Sequence, residues 1–236
     1  MKKMMIILCT MATLMALAGC DMPWQRERAL SPEEIEMAAQ FDDITASDWF
    51  YRYVVAGVRF GIIEGTSDDN LYFEPERNVT QGEFIAMLGR LHEYGHGVIG
   101  VPEEGGDDYE RYIEWALDAG IVHRYNYWIL MPDELITREQ AAVIVWRYID
   151  EFELQDYFAH DIDVYEPMDF GDCCRMSYWA QGPIFWLRDL LVVSGRGGAF
   201  DPHDTVTQAD AMQILIRVCS AVYDLRHPLF PIRRSN

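Results

Sequence analysis

The sequence predicts an all-α protein in which three helix-loop-helix units pack as a pseudo-threefold bundle. Three observations carry that expectation. One plan recurs three times between residues 41 and 223. A proline stands five residues before a threonine in every copy: Pro75 and Thr80, Pro132 and Thr137, Pro202 and Thr207. The interval from Trp49 to Gly61 also equals that from Trp179 to Leu191. A unit this small cannot bury its apolar faces alone, so the copies are expected to stack.

Each copy opens with apolar residues at helical spacing, as in Tyr53, Val54, Gly57 and Phe60, or Tyr112, Ile113, Trp115, Ala116 and Ala119. Gly61 and Gly120 then offer the left-handed residue that ends a helix. A short apolar pair follows, and a loop closed by the proline, which cannot continue regular structure. The threonine starts a second helix. Its hydroxyl can cap a backbone N–H while the side chain three places on reaches back, as Glu83 does for Thr80 and Gln140 for Thr137. Asp210 offers Thr207 a shorter version of the same pairing. Strong apolar stripes continue these helices: Phe84, Ile85, Met87, Leu88 and Leu91; Ala141, Ile144, Val145 and Tyr148; Ala211, Ile214, Leu215, Val218 and Cys219.

Composition narrows the function classes. Of 236 residues, half are hydrophobic and a quarter charged, which excludes a disordered chain, a collagen-like repeat or a polytopic membrane protein. Nineteen basic against 39 acidic residues leave a formal charge of −20, so the surface repels phosphate backbones and nucleic acid is not an expected partner.

The N-terminus reads as an address. Lys2 and Lys3 precede a mostly apolar run from Met5 to Leu17, too short for a helix to cross a bilayer and suited to a signal peptide. The run ends in Leu17-Ala18-Gly19-Cys20, which resembles a bacterial lipobox. The resemblance implies cleavage before Cys20, lipid on its thiol and acylation of its new amino terminus. Several acyl chains would hold the protein on a membrane surface. Residues 1–19 are thus the expected signal peptide, and residues 20–40 a lipidated tether with a short helix.

The order Phe41-x-Asp43, Trp49, Gly61-Ile-Ile-x-Gly65, Phe73-x-Pro75 and Val79-Thr80-Gln81-Gly82-Glu83 resembles a surface-layer homology (SLH) motif, whose copies end in a Thr-Arg-Ala-Glu-like tetrapeptide. The resemblance spans roughly residues 41–223 and divides it into repeats at 41–97, 98–152 and 153–223, with a tail at 224–236. It implies grooves between neighbouring units and non-covalent attachment to cell-wall polysaccharide, a secondary polymer or a peptidoglycan-linked glycan. In that family the tryptophan opening each copy and the arginine of the tetrapeptide hold the sugar. An aromatic face stacks on a ring, and a guanidinium fork grips a carboxylate. Carried over by position, the glycan-binding candidates are Trp49, Gln81, Arg138, Trp179 and Gln208; Asp108 stands where the second copy would have its tryptophan. Only Arg138 keeps the cation, and no copy keeps both residues. Trp49 and Trp179 suit a groove or the core equally, whereas Trp115 and Trp186 read as core.

The expected function is therefore a non-catalytic, exported lipoprotein of the cell envelope that tethers wall to membrane, with no cofactor. The alternative is a protein-interaction module whose degenerate grooves no longer hold sugar and whose acidic face meets another envelope protein. No metal site is expected. Asp68-Asp69-Asn70 and the stretch 103–108 lack the ligand order of a calcium loop, and His92 and His96 sit where Gly95 and Gly97 should fray the helix. No nucleophile elbow, zinc-protease or phosphate-loop motif appears. Cys173, Cys174 and Cys219 remain after processing; a strained ring between neighbours, a pair with Cys219, or small buried hydrophobes are all open. Arg226, Arg233 and Arg234 form a small basic tail.

Overall fold

The computed structural model describes residues 41–63, 72–96, 108–123, 130–157 and 170–223. The described residues hold six α-helices: α1 (Tyr51–Arg59), α2 (Gln81–His96), α3 (Asp108–Asp118), α4 (Arg138–Glu151), α5 (Tyr178–Asp189) and α6 (Gln208–Tyr223), two per unit. Short 3₁₀ turns occupy Leu154–Tyr157 and Cys173–Arg175, and only isolated bridges, no strands, occur among them. The protein is all-α, as the periodicity requires. No helix among the described residues is long and apolar enough to cross a membrane. The lipobox with Cys20, the tether, Asp68-Asp69-Asn70 and the arginine tail lie outside the described residues.

Helices pack between units. Helix α2 lies against α3, α4 against α5, and α6 against α1, so each unit's second helix meets the next unit's first and the last meets the first. The apolar pairs that follow the opening helices, Ile62-Ile63, Ile121-Val122 and Val192-Val193, are buried in one shared core with the stripes of α2, α4 and α6.

The loops between helices join in the same cyclic order. Val79 N–H donates to the Val206 carbonyl (3.0 Å), Val206 N–H to Ile136 (3.1 Å), and Ile136 N–H back to Val79 (3.1 Å). The helix starts attach likewise. Gln81 N–H donates to Glu134 O, Arg138 N–H to Asp204 O and Gln208 N–H to Arg77 O. One residue further on, Gly82, Glu139 and Ala209 donate to the carbonyls of Pro132, Pro202 and Pro75. A helix leaves its first N–H groups without an internal partner. Here the first two are satisfied by the neighbouring unit's proline loop, so a constant proline-to-threonine interval lets three loops and three helix starts interlock. The third N–H is satisfied within the unit. Thr80, Thr137 and Thr207 Oγ1 accept from Glu83, Gln140 and Asp210 N–H, while those three side chains accept from the threonine N–H. All three predicted capping boxes are present.

The opening helices end as their residues dictate. Gly61 and Gly120 take left-handed φ values of 63° and 72°. Leu191, at the matching place in the third unit, does so at 58°. Helix α2 departs from expectation: it continues through Gly95 to His96 instead of fraying. His92 is buried, 4.4 Å from the Phe152 ring and 5.0 Å from Trp115, with Tyr148 Oη 3.4 Å from its Nδ1. Aromatic packing from three helices holds the helix together past the glycine.

Candidate functional site

The three tetrapeptide positions are the first residues of α2, α4 and α6, and all are buried at a seam between units. Gln81, Arg138 and Gln208 retain 2%, 7% and 5% of their exposure. Each side chain reaches the following unit in the cycle. Gln81 Oε1 accepts from Met131 N–H at 3.2 Å, and Gln208 Oε1 accepts from Arg77 Nη2 at 2.6 Å. Arg138 donates Nε to the Phe200 carbonyl (2.8 Å) and Nη2 to the Ser194 carbonyl (3.0 Å), with its guanidinium 4.9 Å from the centre of the Phe200 ring.

The seams differ in what remains free. Arg77 is shared among Gln208, Glu83 (2.8 Å) and Glu74 (3.5 Å), so the cation at that seam is already met by protein carboxylates. Arg138 keeps Nη1 without a partner among the described residues. Its side chain lines a pocket with Val193, Ser194, Phe200, Asp210 and Gln213. The pocket volume is ≈ 10 Å³, room for about one water molecule. Burial draws the Arg138 pKa below its ordinary value and the Asp210 carboxylate opposes that; the guanidinium stays charged.

Two further guanidinium groups bond residues that line the pocket. Arg196 Nη2 lies 2.5 Å from both carboxylate oxygens of Asp210, and Arg217 Nη1 is 3.4 Å from Ser194 Oγ and 3.3 Å from the Val192 carbonyl. Two guanidinium groups, those of Arg138 and Arg196, therefore interact with one buried carboxylate, Asp210, in a chain of charge −20. Such a spot suits an anionic group with flat oxygen geometry.

The tryptophans sit elsewhere. Trp49 is 55% exposed and meets Phe50 and Tyr53 edge-on at 5.4 and 6.3 Å. Trp179 is half-buried against the core. Neither lines the Arg138 pocket. The Asp108 side chain lies outside the described residues. Trp115 stacks on Phe152 at 6.2 Å, and Trp186 packs on the core.

Several working residues escaped the sequence reading. Arg90, Arg147 and Arg217 each stand ten residues after the capping threonine and donate to the carbonyl of Ile62, Ile121 and Val192 in their own unit. That repeated interval was a legible signal. Asp43 accepts from the N–H groups of Phe73 (2.8 Å) and Glu74 (2.6 Å), and Asp172 from those of Phe200 and Asp201 (2.8 Å each). Phe170-x-Asp172 thus repeats Phe41-x-Asp43, hidden because its distance to the tryptophan is one residue longer. Glu139, also buried, accepts from Ser177 N–H and Oγ–H at 2.9 and 2.8 Å and ties the start of α5 to α4.

All three cysteines are free thiols, Cys219 buried and Cys173 and Cys174 exposed. The buried-hydrophobe reading therefore describes Cys219 and not the adjacent pair. Burial pushes the Cys219 thiol far above its usual pKa, which keeps it protonated and inert. Among the described residues no group of three or more His, Cys, Asp or Glu side chains could hold a metal ion.

The S-layer homology domain matches residues 40–85. A cell surface glycoprotein 1 of Acetivibrio thermocellus is 27% identical over 69% of this chain and 7% of its own length. An exoglucanase XynX of Acetivibrio thermocellus is 27% identical over 77% of this chain and 16% of its own length. An amylopullulanase of Thermoanaerobacterium thermosulfurigenes is 31% identical over 65% and 8%. The chain thus spans less than a fifth of the length of each of these relatives. One S-layer homology domain match, with a cell-surface protein among the relatives, indicates an exported, cell-envelope protein.

Proposed function

We propose that this chain is a non-catalytic anchor of the cell envelope. Lipid on Cys20 holds it to a membrane, and its three units, at 41–97, 98–152 and 153–223, form a pseudo-threefold bundle that binds cell-wall polysaccharide at a seam. The observation that carries this reading is the uncommitted Nη1 of Arg138, a buried guanidinium lining a pocket between the second and third units. The other two seams have glutamine at that position, bonded to protein, so a single cationic groove serves the chain. Trp49, exposed, and Trp179, half-buried, supply aromatic faces for sugar rings. An acidic polysaccharide suits this site best, because a carboxylate neutralises the guanidinium as well as accepting its hydrogen bond, whereas a neutral hydroxyl only accepts.

Sedimentation with isolated cell-wall sacculi tests this. The parent chain should co-sediment. Arg138→Gln keeps a polar side chain but loses the charge, and should weaken retention tenfold or more; a Trp49→Ala/Trp179→Ala double variant should weaken it less. Cys20→Ala should move the protein from the membrane fraction to the soluble one. The second reading, a protein-interaction module, draws on the two seams already filled by glutamine and on the charge of −20. A parent chain that stays in the supernatant at every sacculus concentration favours it.

A further inference from the structure

We propose that Arg196 is a second anion-contacting residue of the Arg138 pocket, so that a glycan carboxylate is held between two guanidinium groups with one oxygen toward each. The inference rests on the polysaccharide reading above and deepens it.

The mounting of Arg196 carries the argument. Arg196 and Ala199 exchange backbone hydrogen bonds (2.7 and 3.1 Å) around Gly197 and Gly198, whose φ values are 58° and 85°. Two left-handed residues in a two-residue turn make a tight hairpin, a conformation that glycine adopts without strain. Gly195, just before it, approaches so closely that a Cβ would stand 2.6 Å from the Ala199 carbonyl oxygen and 2.8 Å from the Phe170 ring. The backbone under Arg196 is therefore fixed, while 54% of its side chain remains exposed.

The bonding of Arg196 leaves capacity. It meets Asp210 through one nitrogen, Nη2, and not through the two-pronged fork that would saturate the pair. Its Nε and Nη1 have no partner among the described residues. Asp210 is itself a pocket-lining residue and is also occupied in capping α6. Two cations with unused N–H donors, Arg138 and Arg196, thus interact with one pocket-lining carboxylate.

Retention on sacculi, measured by titration at two salt concentrations, separates this from a purely structural salt bridge. Arg196→Gln should weaken binding about tenfold and leave it less salt-sensitive, and Arg196→Lys should recover part of the loss. Asp210→Asn keeps a capping oxygen for Thr207 but releases Arg196, so it should bind at least as tightly as the parent. Converting sacculus carboxylates to amides with carbodiimide and an amine should abolish retention. Unchanged binding by Arg196→Gln where Arg138→Gln has lost it would overturn this inference and leave the seam reading standing. So would equal losses of binding and of thermal stability in Arg196→Gln and Asp210→Asn, or full retention on amidated sacculi. Failure of the parent chain to bind sacculi at all would remove both readings.

Discussion

Leu191 carries a backbone conformation that its own side chain disfavours. Gly61 and Gly120 adopt the same left-handed turn, and a Cβ built on either meets nothing nearer than His123 at 4.0 Å, so only backbone strain separates them from alanine. Gly61→Ala and Gly120→Ala should each cost about 1 kcal/mol, the left-handed penalty of an L-residue. The same order should hold at Leu191: Leu191→Gly should be more stable than Leu191→Ala by about the same amount, read from paired denaturant titrations. Asp172 shows residue chemistry of another kind. Burial disfavours its charge, but the N–H groups of Phe200 and Asp201 more than compensate and its pKa falls below the usual value. A carboxyl with a lowered folded pKa stabilises above its unfolded pKa, near 3.9, and that contribution drains away as pH falls through the folded value. Asp172→Asn should therefore lower Tm at pH 7, by an amount corresponding to about 1–3 kcal/mol, and should show a shallower acid decline than the parent between pH 5 and 2.

At the scale of elements, the contact of α2 with α3 depends on one missing side chain. A Cβ on Gly89 would lie 2.2 Å from the Tyr112 ring, which is buried against it. Tyr112 cannot withdraw easily. Its hydroxyl donates to Glu93 Oε2 at 2.8 Å and accepts from Arg111 Nη2 at 2.5 Å, and burial together with the Glu93 bond pushes its pKa up to about 12. Gly89→Ala gains helix propensity but forces the ring off its seat, and the second effect wins: a net loss of about 1–3 kcal/mol is expected by thermal or denaturant unfolding. The matching positions in α4 and α6 are Trp146 and Ile216, so the three helix pairs share a plan but not a packing surface. Repeat spacing could place these helices, whereas the particular fit of glycine under tyrosine depends on two residues from different units.

Contacts among the described helices and loops run in a closed cycle, and the consequence is cooperativity. The third unit provides α6 for α1 to pack on and two of the six N–H and carbonyl groups in the loop triangle on each side of Val206. A chain ending at residue 152 would expose the face of α1 and leave Val79 N–H without its acceptor. Such a truncation should lose the single sharp unfolding transition and bind an environment-sensitive hydrophobic dye, whereas a linear stack of repeats would lose only a share of its stability. Within this cycle Gln81 and Gln208 bond the next unit, so those two seams hold together without an arginine at that position.

Local rules made much of this protein readable. Helical periodicity, the Gly61 and Gly120 endings, the threonine capping boxes and the equal proline intervals all concern residues within one unit, where sequence distance and spatial distance agree. The Phe170-x-Asp172 clamp and the arginines ten residues past each threonine were equally local and could have been found by the same spacing test. The seam chemistry was of a different order. Arg138 meets Phe200 across 62 positions, and Gln208 meets Arg77 across 131. Which guanidinium is consumed by protein partners, and which keeps a donor for a ligand, follows from desolvation and hydrogen bonding between separate units. Sequence alone determined the helices and their capping; only their packing against one another decided where a free charge is left.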